Sequence, residues 1–364
     1  MDNRETNTAK SAPPPPFAAT YSPNLPELIH QLGCTIALST YQAGKIVFVS
    51  AKNDDEIVQL PRSFRNAMAI GVEGNRIAVA SANEVHVLAH EPGLAGRYPA
   101  QPGVYDTIYV PRASYFTGAI DLHGLAWGND GLWTVNTVFS CLCLIDDRYS
   151  FIPKWKPSFI SAFAPEDRCH LNGMAMHNGE PLWVTALGTG NEPHSWRPGI
   201  NSGGVVIHVP SGEIAASGLP MPHTPRLIDG KLYVLFSSTG EIALFDQESG
   251  RYDIVNRIKG FIRGMARCGD YLFIGQSRVR QKSSAFAGLQ IARDATHSGF
   301  TVLHMPTGST VAEFRYLASV DEIFDLAVLP GLRRPGILSP EKEVHSSAIV
   351  IPGTSFWAVR QDTK

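Results

Sequence analysis

The sequence predicts an all-β protein folded as a six-bladed β-propeller whose ring is closed by strands from both ends of the chain. Three observations indicate this fold: a recurring strand–turn–strand phrase, a composition suited to short strands, and incomplete strand sets at the two ends. The phrase is clearest at residues 121–136, where a polar residue precedes an apolar run, an Asn-Asp-Gly turn and a second apolar run. Further copies begin near residues 65, 172, 223, 263 and 324. Their spacing of roughly 40 to 60 residues is the period of propeller blades.

The composition fits many short strands and argues against two classes of partner. Of 364 residues, 44% are hydrophobic and only 18% are charged, while Gly (33) and Pro (26) are plentiful. Abundant Gly and Pro are typical of strands joined by tight turns. The formal net charge is −2 and no Lys/Arg block stands out in the sequence, which argues against binding to nucleic acid or to a membrane.

The chain begins with a segment predicted to be disordered. This leader covers residues 1–21 and contains four consecutive prolines, Pro13 to Pro16. Residues 23–31 predict a short helix, with Pro early in it and Gly33 after its end. Three strands follow, at 34–41, 45–51 and 56–62.

From residue 65 onward the chain predicts sets of four strands, labelled a to d from the channel outward. Five sets are complete. The first is 67–72, 76–81, 84–89 and 107–115, the second is 124–128, 132–136, 141–146 and 150–155, and the third is 173–177, 182–186, 205–209 and 213–217. The fourth is 225–229, 232–237, 241–245 and 252–258, and the fifth is 264–268, 271–276, 301–305 and 311–318. A sixth set contains only strand a, at 325–329, before Pro330 and the residues after it break the pattern.

The incomplete sets at the two ends complete each other. Residues 34–62 supply strands b, c and d of the sixth blade and residues 325–329 supply strand a, so the ring closes like a clasp. Closure protects sheet edges that would otherwise promote aggregation. Seven blades is the alternative prediction. The domain prediction is therefore a leader (1–21), one propeller (22–334) and a tail (335–364) that packs on the outside.

The cysteines and the hydropathy predict a soluble cytoplasmic protein. The five cysteines have an odd number and no framework spacing, which predicts buried free thiols: Cys34, Cys141, Cys143, Cys169 and Cys268. The N-terminal residues lack an apolar secretory core, and no run approaches the length of a membrane span.

Blade geometry predicts which face carries a site. In a propeller, the d-to-a and b-to-c connections open on the same side of the disc. The longest b-to-c insertions, 187–204 and 277–299, lie on that side together with polar residues that lead into the innermost strands. Long loops that share a face with polar residues of the channel predict a binding surface there.

Three histidines are the sharpest candidates on this face. His123, His170 and His223 are expected at equivalent positions of consecutive blades. Neutral imidazoles in such a set would suit a divalent Zn, Fe, Mn or Cu ion. The alternative is a hydrogen-bonded polar plug that only fills the channel.

Charged residues on the same face are catalytic candidates. Glu322 and Asp121 would supply a carboxylate ligand or a general base. Arg65 and Arg263 would clamp an anionic substrate group or stabilise a developing oxyanion.

Four further residues are candidates for substrate binding. Asn172 and Asn136 lie at the ends of predicted inner strands, and Trp196 and Arg197 lie in the insertion of the third blade. That insertion is interpreted as a lid or a stacking platform, with a plain polar loop as the alternative.

Four motifs carry a resemblance to a known family. With Ser39-Thr-Tyr-Gln-Ala-Gly44, Phe139-Ser-Cys141, Glu166-Asp-Arg-Cys-His-Leu-Asn-Gly173 and Met221-Pro-His-Thr-Pro-Arg226, the chain resembles a bacterial family of conserved hypothetical proteins. Its members generally have no assigned activity, so the resemblance implies no catalytic roles. More distantly, the architecture is similar to the regucalcin/gluconolactonase propellers, which hold a divalent cation through carboxylates and Asn. This chain offers mainly His, and propeller lyases that use His are the nearer chemical analogy.

Two hypotheses of function follow. The first is a metal-dependent enzyme of hydrolase, lyase or oxidase type that acts on a small polar or anionic molecule at the channel mouth. The second is a non-catalytic propeller that binds a small ligand or a protein partner on the same face.

Overall fold

A computed structural model describes residues 12–279 and 289–358 as a ring of six antiparallel sheets. A short strand, β1 (Ala19–Tyr21), and the helix α1 (Leu25–Leu32) precede the ring. The next strands are β2 (Cys34–Thr40), β3 (Lys45–Ala51) and β4 (Ile57–Ser63), which belong to blade six. Blade one contains β5 (Ile70–Glu73), β6 (Arg76–Ser81), β7 (Glu84–Glu91) and β8 (Ile108–Phe116), with the helix α2 (Pro92–Ala95) between the last two.

Blades two to five follow in chain order. Blade two contains β9 (Leu122–Gly128), β10 (Gly131–Asn136), β11 (Cys141–Leu144) and β12 (Ile152–Trp155). Blade three contains β13 (Leu171–His177), β14 (Glu180–Ala186), β15 (Gly204–His208) and β16 (Ile214–Leu219). Blade four contains β17 (Pro222–Ile228), β18 (Lys231–Phe236), β19 (Glu241–Phe245) and β20 (Tyr252–Arg257). Blade five contains β21 (Phe261–Cys268), β22 (Tyr271–Ser277), β23 (Ser298–His304) and β24 (Ser309–Tyr316).

The C-terminal part returns to blade six and then to the outside of blade one. It comprises β25 (Asp325–Pro330), β26 (Gly336–Ile337), β27 (Ala348–Ile351) and β28 (Thr354–Trp357). Three 3₁₀ turns occur among the described loops, at Arg197–Gly199, Gln290–Arg293 and Glu343–Ser347.

The hydrophobic core lies in layers between neighbouring blades. Between blades five and six, for example, Phe273 and Phe300 pack with Ile36 and Val49. Both faces of an inner or middle strand are therefore buried, which is why β3 reads Lys-Ile-Val-Phe-Val-Ser-Ala rather than alternating apolar and polar residues. Each innermost strand contacts the next one, and the ring closes from β25 to β5.

The predicted clasp is confirmed. Strand β2 pairs with β25 from Cys34 opposite Pro330 to Ser39 opposite Asp325, and β3 pairs with the other edge of β2. Blade six therefore contains one C-terminal and three N-terminal strands, and the ring has six blades, so the alternative of seven was wrong.

Two described segments, 12–21 near the start of the chain and 336–358 near its end, cover outer edges of blades. Residues 1–11 lie outside the described residues, but β1 falls within the segment predicted to be disordered and pairs with β24 as a fifth strand of blade five. Tyr21 stacks on Phe314 there with ring centroids 6.4 Å apart. In the tail, β26 pairs in parallel with β8, and Trp357 of the β27–β28 hairpin donates a hydrogen bond from Nε1 to the carbonyl of Leu94.

The structure also bears on the cysteines and on membrane-spanning segments. All five cysteines are free; four are buried and Cys268 is half-buried. In the part of the chain that the structure describes, no helix has the length and apolarity that crossing a membrane requires.

Candidate functional site

Three blades share a strained residue at the start of the innermost strand. Asp121, His170 and Met221 have left-handed φ angles of 48°, 51° and 53°. Each carbonyl accepts a hydrogen bond from the end of the neighbouring strand, donated by the N–H groups of Thr137, Leu187 and Ser237. These three residues, called lead residues below, are therefore structurally equivalent. Left-handed non-glycine residues are uncommon, cost on the order of 1–3 kcal/mol and cluster at functional sites.

This equivalence corrects the expected alignment of the histidines. His123 and His223 lie two residues after their lead residues, whereas His170 is itself a lead residue. The axial position of blade three, two residues after the lead, is occupied by Asn172. The expectation that all three histidines occupy equivalent positions was wrong, because the sequence does not show where the left-handed residue falls.

In blades two, three and five the residue after the axial position is a glycine, and close approach of the inner strands explains it. In blade five, Gly264 has a φ of 76°, and a Cβ there would lie 2.6 Å from the amide N of Leu326. In blade three, a Cβ on Gly173 would lie 2.3 Å from Cδ of Pro225. Glycine at these positions explains the polar–small pair in the repeated phrase.

Identical hydrogen bonds hold the imidazoles of His123 and His223. Nδ1 of His123 lies 3.0 Å from the carbonyl O of Asp121 and 2.8 Å from Oγ1 of Thr137, and that hydroxyl donates to the carbonyl of Leu171. In blade four, Nδ1 of His223 lies 3.1 Å from the carbonyl O of Met221 and 3.0 Å from Oγ of Ser237. The Ser237 hydroxyl donates to the carbonyl of Ile262 in the next blade.

These contacts fix the tautomer of both rings. A carbonyl only accepts, and each hydroxyl has already used its proton, so Nδ1 of each ring must carry the hydrogen. Among the residues that the structure describes, no hydrogen bond engages Nε2 of either ring. The Nε2 lone pairs therefore remain available to a proton or a metal.

His170 is oriented by a carboxylate instead of a carbonyl. Its Nδ1 lies 3.1 Å from both carboxylate oxygens of Asp167, and Trp196 donates from Nε1 to Oδ2 of the same carboxylate at 3.0 Å. The Trp196 ring also packs on the His170 ring, with centroids 4.4 Å apart. A carboxylate–imidazole pair of this kind fixes Nδ1 as the protonated nitrogen and leaves the Nε2 lone pair free to accept a proton.

Arg263 occupies the axial position of blade five and is the principal cation of the site. Its Nη1 lies 3.8 Å from Oε1 of Glu322, and its Cζ lies 3.6 Å from the centroid of the Phe324 ring. The side chain is only 12% exposed. Its Nη2 is buried and has no hydrogen-bond partner among the described residues.

Two cavities meet at Arg263. The mouth cavity, of about 250 Å³, is lined by His170, Leu187, Met221, His223, Phe261, Arg263, Ser277, Arg278, Val279 and Glu322. The channel, of about 390 Å³, runs along the innermost strands, and His123, Asn172, Phe324 and Asp325 are among its lining residues. The face predicted from blade geometry therefore does hold a cavity.

Burial determines the charge states in this region. Burial lowers the pKa of both His123 and His223 well below the usual range, and the charge of Arg263 lowers them further, so both rings are neutral at pH 7. Burial also lowers the pKa of Arg263 to about 10, which leaves the guanidinium charged at that pH. Burial raises the pKa of Asp121, with the nearby charge of Asp167 adding to the effect.

The histidines are close together but are not arranged as a metal site. The ring centroids of His123 and His170 lie 5.0 Å apart with the planes at 83°. Among residues 12–279 and 289–358, no group of three or more His, Cys, Asp or Glu side chains is arranged to hold a metal ion. A shared ion would therefore require a third His, Cys, Asp or Glu side chain to move into place beside this pair.

Several other candidates lie apart from the mouth cavity. The exposed Arg65 donates from Nη2 to Oδ1 of Asn83 and borders neither cavity. Asn136 is fully buried and its Oδ1 accepts the N–H of Phe139, so it holds a turn. The exposed Arg197 lies over the Trp196 ring at 5.5 Å. Trp196 is buried behind His170 rather than open as a platform.

Sequence reasoning gave no role to Asp167, Phe324, Thr137 or Ser237. Asp167 lies three residues before His170, a spacing that could have indicated the pair. Phe324 follows Glu322 by two residues, as Arg263 follows Phe261, so correct alignment of the blades would have placed it on the channel axis.

Comparison with known sequences identifies one family. The model of a family described as "Domain of unknown function (DUF4915)" matches residues 23–338. No curated protein sequence matches this chain.

Comparison with solved structures supports the fold. A chain from a crystal structure of a nidogen/laminin complex is 9% identical with a TM-score of 0.52, and the match covers 82% of this chain and 99% of that chain. A protein of unknown function from Bacteroides caccae is 11% identical with a TM-score of 0.51, covering 81% of this chain and 98% of that one. At such identities the similarity concerns the fold alone.

Proposed function

We propose that this chain, which belongs to the DUF4915 family, is an enzyme that binds a small anionic substrate in the mouth cavity and transfers a proton to or from it. In this proposal Arg263 pairs with the anion, and His170 acts as the general acid or base. One observation carries the proposal: a buried guanidinium borders the cavity with its Nη2 unpaired among the described residues.

The surroundings of Arg263 favour an anionic ligand. A buried cation is costly unless acceptors surround it. Glu322 approaches Nη1 only to 3.8 Å, and the Phe324 ring covers one face, which leaves the Nη2 hydrogens for a ligand oxygen. The carboxylates of Glu322, Asp325 and Asp121 place negative charge near the guanidinium. Among the described residues, however, no acceptor pairs with Nη2, where a ligand would add negative charge. A carboxylate or phosphate oxygen would supply it through charge-assisted hydrogen bonds.

The pairing of His170 with the Asp167 carboxylate favours a catalytic role. The carboxylate holds the Nδ1 hydrogen, so Nε2 is the atom that exchanges a proton with a substrate bound at Arg263. Trp196 fixes the same carboxylate through its N–H group. An acid–base group next to an anion-binding group suits elimination or hydrolysis.

Calorimetric titration with inorganic phosphate, oxalate and pyruvate tests the proposal. Arg263→Met keeps the side-chain stem but removes the charge, and it should weaken binding at least tenfold, because a hydrogen bond to a charged group contributes roughly 1.5–3 kcal/mol. Arg257→Met is the matched control, because Arg257 also pairs with a glutamate but lies on the exposed outer strand β20. Equal affinity in the Arg263→Met protein and the wild type would exclude the proposed role of Arg263.

A metal centre is the second candidate, and the shared orientation of the three imidazoles favours it. Each Nδ1 faces an oxygen acceptor, as metal-bound histidines almost always do. The 5.0 Å between the His123 and His170 rings also suits two ligands of one tetrahedral ion, whose ring centroids lie roughly 5 Å apart at Zn–N distances of about 2.1 Å. A Zn, Fe, Mn or Cu ion there would act as a Lewis acid on the same anionic substrate.

Equilibrium dialysis against Zn²⁺ and Mn²⁺ with elemental analysis tests this candidate. A metal centre requires one ion per chain that is lost in the His123→Ala, His223→Ala double variant and kept in His208→Ala. His208 lies at the end of β15, with its Nδ1 near Ser211. Absence of stoichiometric metal in all of these proteins would exclude the metal centre and leave the acid–base proposal intact.

A non-catalytic propeller that binds a ligand or a protein partner on this face is the alternative proposal. The oriented His170–Asp167 pair favours the enzyme, because a site that only binds needs no proton acceptor held in one tautomer. We place the protein in the cytoplasm as part of the proposal, since its five free thiols suit a reducing compartment.

A further inference from the structure

We infer that the anion taken by the mouth cavity is a monocarboxylate with a short apolar chain. This inference rests on the proposed function, because it assigns the carboxylate to Arg263. It adds the identity of the remainder of the molecule, which the opposite wall of the cavity determines.

The mouth cavity has one polar end and one apolar wall. Arg263, His170 and His223 form the polar end, near the channel axis. The apolar wall comes from four residues on three blades and their loops: Leu187, Met221, Phe261 and Val279. A ligand that binds at Arg263 therefore meets hydrocarbon on its other side.

The apolar wall is a built surface rather than a packing defect. The two long b-to-c loops meet behind it, where Trp196, Leu289, Ile291 and Ala295 are buried with the wall residues in one cluster. Leu187 and Met221 are each only 1% exposed and yet border the cavity. Because the wall is packed from behind, it is rigid and presents a fixed apolar face to the ligand.

Charge argues against a second anionic group on the ligand. Among residues 12–279 and 289–358, the other charged side chains that line the mouth cavity are Glu322 and Arg278. Glu322 would repel a second carboxylate. Arg278 is already engaged, donating from Nε to the carbonyl of Thr296 and lying 3.6 Å from Asp321 through Nη1. A dicarboxylate would therefore place its second charge against hydrocarbon or against Glu322.

Size limits the chain. The cavity of about 250 Å³ is slightly smaller than the roughly 300–1,000 Å³ typical of pockets for drug-sized ligands. A short aliphatic or single-ring carboxylate fits this volume better than a nucleotide or a long fatty acid does.

Calorimetric titration of the full chain with acetate, butyrate, hexanoate and octanoate tests the inference. Each added methylene should tighten binding about threefold to fourfold until the cavity is filled, after which the affinity levels off. Hexanol, which has the chain without the charge, should bind at least tenfold more weakly than hexanoate, and succinate more weakly than butyrate.

Isosteric variants show which wall produces the gain in affinity per methylene. Val279→Thr keeps the side-chain shape and adds a hydroxyl, so it should reduce the gain per methylene while leaving acetate affinity within twofold. Val209→Thr, just beyond β15 in the core between blades two and three, is the control and should retain the full gain. Far-ultraviolet circular dichroism identifies any variant that fails to fold.

The outcomes distinguish failure of the inferred ligand from failure of the proposed function. Carboxylate binding that depends on Arg263 but not on chain length would overturn the inference and leave the proposed function standing. Absence of Arg263-dependent binding at every chain length would overturn both.

Discussion

Ser39 and Asp325 are 286 positions apart in the chain and form one hydrogen-bonded pair in the clasp. The backbone N–H of Asp325 donates to Oγ of Ser39 at 2.9 Å, and the two residues face each other in register. The Asp325 carboxylate accepts the N–H groups of Ile70 and Leu326 at 3.0 Å and 2.9 Å. This one residue therefore links both strands of the clasp to blade one.

Removing the Asp325 carboxylate should destabilise the ring. Asp325→Ala leaves the buried N–H groups of Ile70 and Leu326 without an acceptor, and each unsatisfied group costs about 1–3 kcal/mol. We expect the free energy of unfolding in urea to fall by about 3 kcal/mol. Asp253→Ala is the control, since Asp253 is exposed on the outer strand β20. Similar losses in the two variants would show that the carboxylate does not hold the clasp.

Acid should destabilise the protein through the buried histidines. His123 and His223 have pKa values well below 6.5 in the folded state, so between that lowered pKa and 6.5 the unfolded chain binds more protons. The contribution of these neutral rings to the free energy of unfolding is complete above pH 6.5. It is lost as the pH falls below 6.5, by up to about 1.4 kcal/mol per pH unit for each ring.

A variant isolates this contribution. His223→Asn keeps an N–H donor for the carbonyl of Met221 but cannot titrate. Urea unfolding at several pH values between 7.5 and 5 should therefore show a shallower pH dependence than in the wild type. An unchanged slope would mean that His223 is not buried as a neutral ring.

The tautomers are open to direct measurement. Long-range ¹H–¹⁵N spectra of the wild type at pH 7.5 should show Nδ1 protonated and Nε2 unprotonated in His123, His170 and His223. In Asp167→Asn, the amide can donate to Nδ1, so we expect His170 to shift toward the Nε2–H tautomer while the other two rings keep theirs. A neutral wild-type His170 ring with its only hydrogen on Nε2 would contradict the proposed orientation of His170 by Asp167.

The pH dependence of binding distinguishes the two proposals for the mouth. A bound anion favours the protonated form of His223, whose pKa burial lowers well below 6.5, so pyruvate should bind more tightly as the pH falls from 6.5 to 5. A metal requires neutral imidazoles, so Zn²⁺ should bind more weakly as His123 and His223 gain protons over the same range. Titrations at three pH values measure both trends, and binding of pyruvate that weakens toward pH 5 would argue against an imidazole next to the anion.

Much of the fold could be predicted because it is repeated. The strand–turn–strand phrase recurs in blades one to five. Blade six has only strand a at the C-terminal end, and the three strands at the N-terminal end complete it, which predicted the clasp. Strand β1 could not be predicted in this way, because three residues after a run of prolines carry no periodicity. Its pairing with β24 depends on an edge that exists only in the folded ring.

The site could be predicted only in part. Strand order brings His170, His223, Arg263 and Glu322 to one cavity, as expected from blade geometry. In blade three the histidine is itself the left-handed lead residue instead of lying two positions after it, and a sequence pattern does not show this difference. The pairing of Asp167 with His170 depends on a loop conformation that strand periodicity does not describe.

Anomalous diffraction from a crystal soaked in 4-bromobenzoate tests the central claim, that the mouth cavity binds an anion at Arg263, most directly. The account predicts a bromine peak against Leu187 and Phe261, with the carboxylate within hydrogen-bond distance of Nη2 of Arg263. A mouth cavity without a bromine peak at saturating ligand, or a carboxylate bound with Arg263 left unpaired, would contradict it.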